Sequence, residues 1–527
     1  MNLINDRWIQ VVSGTGESQR IAPAEIVSAG VAPVDLQAPR PDFRAALYQF
    51  LIGLLQTAYA PADIYEWRER WESPPSVETL QAAFTPLNEA FELDSSGPAF
   101  MQDYDLGNAE PCGIGGLLID APGSNTVELN KDHFVHRDGV QEICPACAAA
   151  ALFTLQINAP SGGAGHRVSL RGGGPLTTLR IPSDPHAILY QKLWANVIPK
   201  DRLNYPSRFE VHEVLPWMAP TRTSDAAGVG TTEPVRGSAH PLQAYFSCPR
   251  RIRLDFSDTA VGSCDLCGDA SDSLVQRYRT RNYGVNYAGA WVHPLSPYSY
   301  DPKQNDLPIS LKGQRGGIGY RHWLALTLGG GTVKAAKVVS VLATAQSSMP
   351  ADAVPARLWA FGADFDNAKV RCWYDATLPL YAVTPERLGD FGDVVRRLLD
   401  VADEAARALN RSVKEACSGR PAERVSDPAV AQSFWQASEA AFYALLQQVA
   451  RADLEDTAAM ANLYELWLRA VRRISLEMFD QWVLAVPIED MKMERVVTAK
   501  AALAKSLNKH AAAELWQIIR AEKAERV

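Results

Sequence analysis

Two Cys-x-x-Cys pairs impose the tightest restriction on how this chain can be arranged. They are Cys144-Pro145-Ala146-Cys147 and Cys264-Asp265-Leu266-Cys267-Gly268, and 116 residues lie between them. Two thiolates spaced this way grip one tetrahedral ion from a single tight turn, and two such turns complete a four-sulfur shell. Gly268 suits the backbone reversal of a metal knuckle. An insertion this long exceeds anything in a compact zinc ribbon, so an ion held by both pairs would tie together distant segments of one domain. A closed four-sulfur shell leaves no open position, so the expected metal is one structural zinc per chain rather than a catalytic one. Redox-active dithiols and buried free thiols are the other readings of the same pairs. Cys112, Cys248, Cys372 and Cys417 are isolated and read as small core residues.

A change of texture near residue 380 divides the 527 residues, a length that predicts two to four domains. Before it lie most of the prolines and glycines and many short apolar stretches. Arg251-Ile252-Arg253-Leu254-Asp255-Phe256 alternates with period two, as a half-buried strand does. Pro41 to Thr57 sets Leu47, Phe50, Leu51, Leu54 and Leu55 on one helical face. Ala219 to Gly237 reads as a long exposed loop. After the divide, Thr384-Pro385 opens a helix whose stripe is Leu388, Phe391, Val394, Val395, Leu398, Leu399, Ala402, Ala406, Leu409 and Val413. Asp427-Pro428 opens a second apolar-periodic run, Thr457 to Ala485 forms a third, and Asp490 to Ala524 a fourth. The expected fold class is therefore α+β: a large irregular mixed domain over residues 1–380, then an all-α four-helix bundle over residues 381–527.

Charge bounds the partners. With 52 Lys+Arg against 60 Asp+Glu, the net charge of −8 excludes nucleic-acid binding through overall charge, so any such contact needs a local basic patch. Candidates exist. Ser161-Gly162-Gly163-Ala164-Gly165 and Arg171-Gly172-Gly173-Gly174 can bring backbone amides close to a phosphate or groove, or can be plain turns. Gln276-Arg277-Tyr278-Arg279-Thr280-Arg281-Asn282-Tyr283, if extended, puts three arginines on one face and Tyr278 on the other. Its alternative is an edge strand protected by charge. His133 and His136, beside Asp132 and Asp138, can in principle bind a metal, though solvated histidines are the plainer reading. The sequence holds no His-Asp dipeptide, no Walker A segment, no Gly-x-Ser-x-Gly and no His-Glu-x-x-His. It also lacks the features of an N-terminal signal peptide and any apolar run long enough to cross a bilayer, so the expected location is cytoplasmic, with no membrane partner.

Taken in order, these motifs resemble a known family, the large subunit (CasA) of the type I-E CRISPR surveillance complex, Cascade. The resemblance is carried by Asn2-Leu3-Ile4-Asn5-Asp6-Arg7-Trp8-Ile9-Gln10-Val11, the loop ending in Phe134-Val135, both cysteine pairs, the glycine loop running into Leu170-Arg171-Gly172-Gly173, and Trp291-Val292-His293-Pro294-Leu295-Ser296-Pro297. It implies a non-enzymatic subunit that recognises a protospacer-adjacent motif (PAM) in double-stranded DNA and helps start strand separation and R-loop formation. The implied partners are CRISPR RNA, the backbone subunits, the small-subunit dimer and a helicase-nuclease that the subunit recruits. By the same resemblance Phe134 reaches the guide RNA and neighbouring subunits, and Gly162, Gly163, Ala164 and Gly165 lie against the motif. The family's lysine finger falls at Asn282, with Arg279 and Arg281 at hand to restore its charge. Its glutamine wedge falls near Asp366-Asn367-Ala368, where Asn367 is one methylene shorter. The competing readings are a zinc-stabilised, metal-dependent nucleic-acid-processing enzyme using the His133/His136 loop, and a zinc-held structural module with no nucleic-acid role.

Overall fold

The structure is a computed structural model. It describes residues 1–525 apart from 108, 133–134, 136, 161, 236–237, 314–315, 347–355, 367–368, 418–426 and 485–491. The chain divides into two compact units, one of residues 1–313, 332–345 and 356–375, the other of residues 314–331, 346–355 and 376–527. The fold class is α+β, as the sequence texture implies.

In the first unit the helices are α1 (Pro41–Ala58), α2 (Ile64–Glu72), α3 (Val77–Phe84), α4 (Ser124–Glu128), α5 (Pro145–Asn158), α6 (Leu189–Trp194) and α7 (Val211–Val214). Short strands form antiparallel sheets around them. β1 (Ile9–Ser13) lies between β2 (Ser18–Ile21) and β3 (Pro33–Leu36). A second sheet has the order β4-β7-β6, from β4 (Pro111–Gly113), β6 (Arg251–Ser263) and β7 (Ala270–Arg281), and a third pairs β5 (Thr177–Pro182) with β11 (Ala356–Asp366) and then β12 (Lys369–Pro379). A small sheet joins β8 (Tyr298–Ser299) with β9 (Ile309–Ser310) and β10 (Val333–Lys334).

The predicted helix at Pro41 is α1, and it is buried nearly all round rather than on one face, which is what an apolar helix does at the centre of a domain. Phe50 of α1 is the hub of the core. Trp8, Phe91, Phe100 and Phe153 meet it edge-on with centroids at 5.5, 5.9, 5.8 and 5.7 Å, the arrangement that ring quadrupoles favour. Phe153 belongs to α5, so the core aromatics fix the helix that carries the first cysteine pair.

The first unit also holds α9 (Lys337–Gln346) up to residue 345, and the second unit holds α8 (Trp323–Thr327) and the C-terminal helices α10 (Leu388–Cys417), α11 (Pro428–Arg451) and α12 (Thr457–Leu484). The stripe read from the sequence is buried along α10 from Phe391 to Val413, with Leu399 half-buried. Asp427 caps α11 by accepting from the Ala429 amide at 2.9 Å. Tyr320 stacks on Phe442 at 4.4 Å and its hydroxyl meets Ser438 Oγ at 2.8 Å, so this tyrosine packs with α11.

One expectation is corrected here. The fourth run is two helices, α13 (Met493–Ser506) and α14 (Ala511–Glu525), so the C-terminal region has five helices among the described residues and not four. The break has a local cause. Ser506 Oγ and Asn508 Nδ2 donate to the carbonyls of Leu503 and Ala504, at 2.8 and 3.2 Å, and His510 takes a left-handed φ of +50°. Side chains that bind last-turn carbonyls compete with helix continuation. The isolated cysteines are corrected as well: Cys372 and Cys417 are exposed, because they lie on the open face of β12 and at the end of α10. Among the described residues no helix is long and apolar enough to cross a membrane.

Candidate metal centre and nucleic-acid interface

The two cysteine pairs come together. Cys144 is the N-cap of α5, Pro145 takes the first helical position, and Cys147 falls in the first turn. Cys264 and Cys267 form the turn of the β6–β7 hairpin, where Gly268 has φ +78° and donates its N–H to the Cys264 carbonyl at 2.9 Å. A carboxylate and a backbone bridge hold the two turns against each other. Asp265 Oδ2 accepts the amides of Gln141 and Glu142 at 2.7 and 2.9 Å, and Ile143 pairs with Val275 in an antiparallel bridge. The four sulfurs all lie within 4.8 Å of one another, with Cys144 and Cys267 at 3.8 Å. A tetrahedron with metal–sulfur bonds of about 2.3 Å has edges of ~3.8 Å, so the donor set fits such an ion. Hydrogen bonds from Cys144 and Cys147 push the Cys264 thiol down, the one shared with Cys144 pushes Cys147 up, and burial raises Cys267 to about 12. Crowded thiols that resist joint ionisation are relieved by a bound cation. These four residues can hold a metal ion.

The glycine loop and the end of β7 also meet. Asn282 Nδ2 donates to the Ala164 carbonyl at 2.9 Å, and the Tyr283 amide donates to the Gly165 carbonyl at 2.7 Å. Gly165 has φ +77°, and a Cβ there would stand 2.8 Å from Asn282 Cβ and 3.1 Å from the Tyr283 nitrogen. Gly163, at φ +88°, faces open space. At Gly162 a Cβ would find ordinary contacts, with His166 Cβ at 3.4 Å and Arg250 Nη2 at 3.6 Å. Gly165→Ala is therefore expected to raise hydrogen exchange of the Tyr283 amide about tenfold, given ~1–2 kcal/mol of left-handed strain plus the clash. Gly162→Ala should leave that amide unchanged.

The arginines divide by environment. β7 runs between β4 and β6, so the edge-strand alternative is set aside. Arg279 is tied into the sheet, donating to the Ala109 carbonyl at 2.8 Å and to Asp255 Oδ2 at 3.0 Å, so its charge is already answered. Tyr278 packs its hydroxyl against Gly116, and burial pushes it up to about 12, which removes it as a stacking platform. Arg277 and Arg281 are exposed, and their side chains have no hydrogen-bond or ion-pair partner among the described residues. Nearby, Arg167 donates to Ser224 Oγ at 2.6 Å, and the Ser224 amide donates to the Tyr283 carbonyl at 3.0 Å. The predicted long exposed loop from Ala219 is thus partly anchored here, and Thr232 within it is buried, its amide donating to the Asn286 carbonyl at 2.8 Å, which corrects its reading as exposed at that point.

The second glycine stretch is interior. Arg171 is fully buried and donates to Gln49 Oε1 at 2.7 Å and to Thr177 Oγ1 and Ser296 Oγ at 3.0 Å, while a Cβ at Gly173 would stand 2.7 Å from Pro160 Cα. It serves packing and offers no open face. Phe134, His133, His136, Ser161, Asn367 and Ala368 lie outside the described residues. Beside them, Arg371 pairs with Asp364 at 2.7 Å and Asp366 at 3.3 Å at the β11–β12 end, and Arg137 pairs with Asp132 at 2.6 Å. Sequence reasoning passed over Arg167, Ser224 and Arg250, because hydrogen bonds between residues so far apart leave no local pattern.

The family model of CRISPR-associated protein Cse1 matches residues 2–478. Among solved structures, Thermus thermophilus CasA (Cse1) is 20% identical with a TM-score of 0.70, over 96% of this chain and 99% of that one. Thermobifida fusca Cse1 is 16% identical with a TM-score of 0.71, over 97% and 98%. A chain of a CRISPR RNA-guided surveillance complex is 17% identical with a TM-score of 0.63, over 97% and 99%. Identities this low speak to the fold, whereas the family model covers most of the sequence. The chain belongs to the Cse1 family of CRISPR-associated proteins.

Proposed function

We propose that this chain is the large subunit of a type I-E CRISPR RNA-guided surveillance complex, Cascade, and that it reads a short motif in double-stranded DNA for antiviral defence. The observation that carries the reading is the glycine loop pinned beside exposed Arg281 and Asn282, on a chain that shares its fold with a member of such a complex. A net-negative protein can do this because paired guide RNA reads most of the sequence, leaving only a few local contacts to the protein. Arg281 supplies a charge for phosphate, and Asn282 with the loop backbone supplies hydrogen-bonding groups for a groove. Arg279 is committed to Asp255 and takes a supporting part. Asn367 and Ala368 act at the point where strands part and the R-loop starts, and Phe134 meets guide RNA or neighbouring subunits. The backbone subunits, the small-subunit dimer and a recruited helicase-nuclease complete the partners, and the role is one of binding, not catalysis. The ion at the four cysteines is zinc, held structurally in the cytoplasm, where thiols stay reduced.

The test is the double replacement Arg281→Ala/Asn282→Ala in the assembled complex. Motif-dependent duplex affinity is expected to fall at least tenfold, and the slope of log affinity against log salt to decrease by about one. Unchanged target binding would remove these residues from the interface.

A further inference from the structure

Arg250 sits just before β6 and joins both ends of the glycine loop. It donates to the Pro160 carbonyl through Nη2 and to His166 Nδ1 through Nη1. These acceptors flank residues 161–165, so one planar guanidinium closes the base of the loop. Burial and the Arg250 charge lower the His166 pKa, which keeps its ring neutral and able to accept. The arginine backbone is fixed in turn: its amide donates to Gln156 Oε1 and its carbonyl accepts from Gln156 Nε2, both at 2.9 Å. Gln156 is wholly buried near the end of α5 and also donates to the Met101 carbonyl at 3.1 Å.

These contacts complete a frame. α5 and the β6–β7 hairpin are joined at one end by the four cysteines. Their other ends meet at the loop, with Gln156 from α5, Arg250 at the start of β6 and Asn282 after β7. We propose that Arg250 is a positioning residue for motif recognition: it sets the separation of Pro160 and His166, and with it the direction in which the loop backbone faces, without touching DNA itself. This rests on reading the loop as a duplex contact. Each terminal nitrogen of the half-buried guanidinium donates one bond to an end of the loop and its Nε is buried, so the group is held at the base of the loop, which is why the role is support. A lysine keeps the charge, but its single nitrogen cannot reproduce a planar fork to two acceptors.

The experiment compares Arg250→Lys, Arg250→Ala and Gly163→Val in the assembled complex, using duplexes with and without the motif at several salt concentrations. Hydrogen exchange of the segment 160–168 in each full-length chain is measured in parallel. For both Arg250 variants, exchange in this segment alone should rise and the ratio of affinities for the two duplexes should fall about five- to tenfold, on the order of one net hydrogen bond. Arg250→Lys should keep the parental salt slope. Full recovery of the ratio by lysine, or loop exchange unchanged in both variants, would overturn the positioning role. If the loop loosens but Gly163→Val leaves the ratio intact, the reading of the loop as a duplex contact is what fails.

Discussion

Cys147→Ser is expected to empty the metal centre and to destabilise the first unit by on the order of 5 kcal/mol. Cys147 is a buried member of the sulfur cluster, and its loss leaves three donors where a closed tetrahedral site needs four. Structural zinc contributes roughly 10–16 kcal/mol in zinc-finger peptides, where it is the whole basis of folding. Here the effect is smaller, because Asp265 and the Ile143–Val275 bridge still hold the two turns together. Metal analysis should fall from about one zinc per chain to none, and the denaturant midpoint should drop with it. Cys372→Ser, at an exposed site, should change neither. Metal-free protein with the parental midpoint would return the cluster to free or redox-active thiols.

Phe50→Ala should cost the first unit about 3–5 kcal/mol, the usual range for removing a buried phenyl ring. Phe50 is 1% exposed and touches four rings from separate parts of the chain, so no single neighbour can move to fill the space. Each edge-to-face pair adds about 0.5–1.5 kcal/mol beyond burial. Phe50→Leu keeps much of the volume and should lose about half as much. Urea unfolding followed by tryptophan fluorescence reports the difference. A loss below about 1 kcal/mol would mean that the cluster repacks freely, against the close packing described above.

Some elements were legible because their cause is local. The α10 stripe from Phe391 to Val413 repeats at helical spacing, and all of its residues but half-buried Leu399 are buried as that spacing requires. The break at Ser506–His510 was not legible, because apolar spacing persists through it while side chain–carbonyl bonds end the helix. Gly165 and the Gly172–Gly174 stretch are glycines for opposite reasons, one at a docked loop and the other inside the packing. That difference depends on neighbours from other segments.

Spacing alone singled out the four cysteines that the structure brings together, since residue type and the geometry of one tight turn suffice for each pair. Only the tertiary structure decided which cations are available. Arg279 and Arg281 alternate identically on β7, yet one meets Asp255 and a carbonyl while the other faces solvent. The meeting of Ala164 with Asn282, and of Arg250 with both ends of its loop, was likewise settled by three-dimensional packing. Hydrogen bonds to backbone carbonyls recognise position and not side-chain identity, so they leave no periodic signature for a sequence to show.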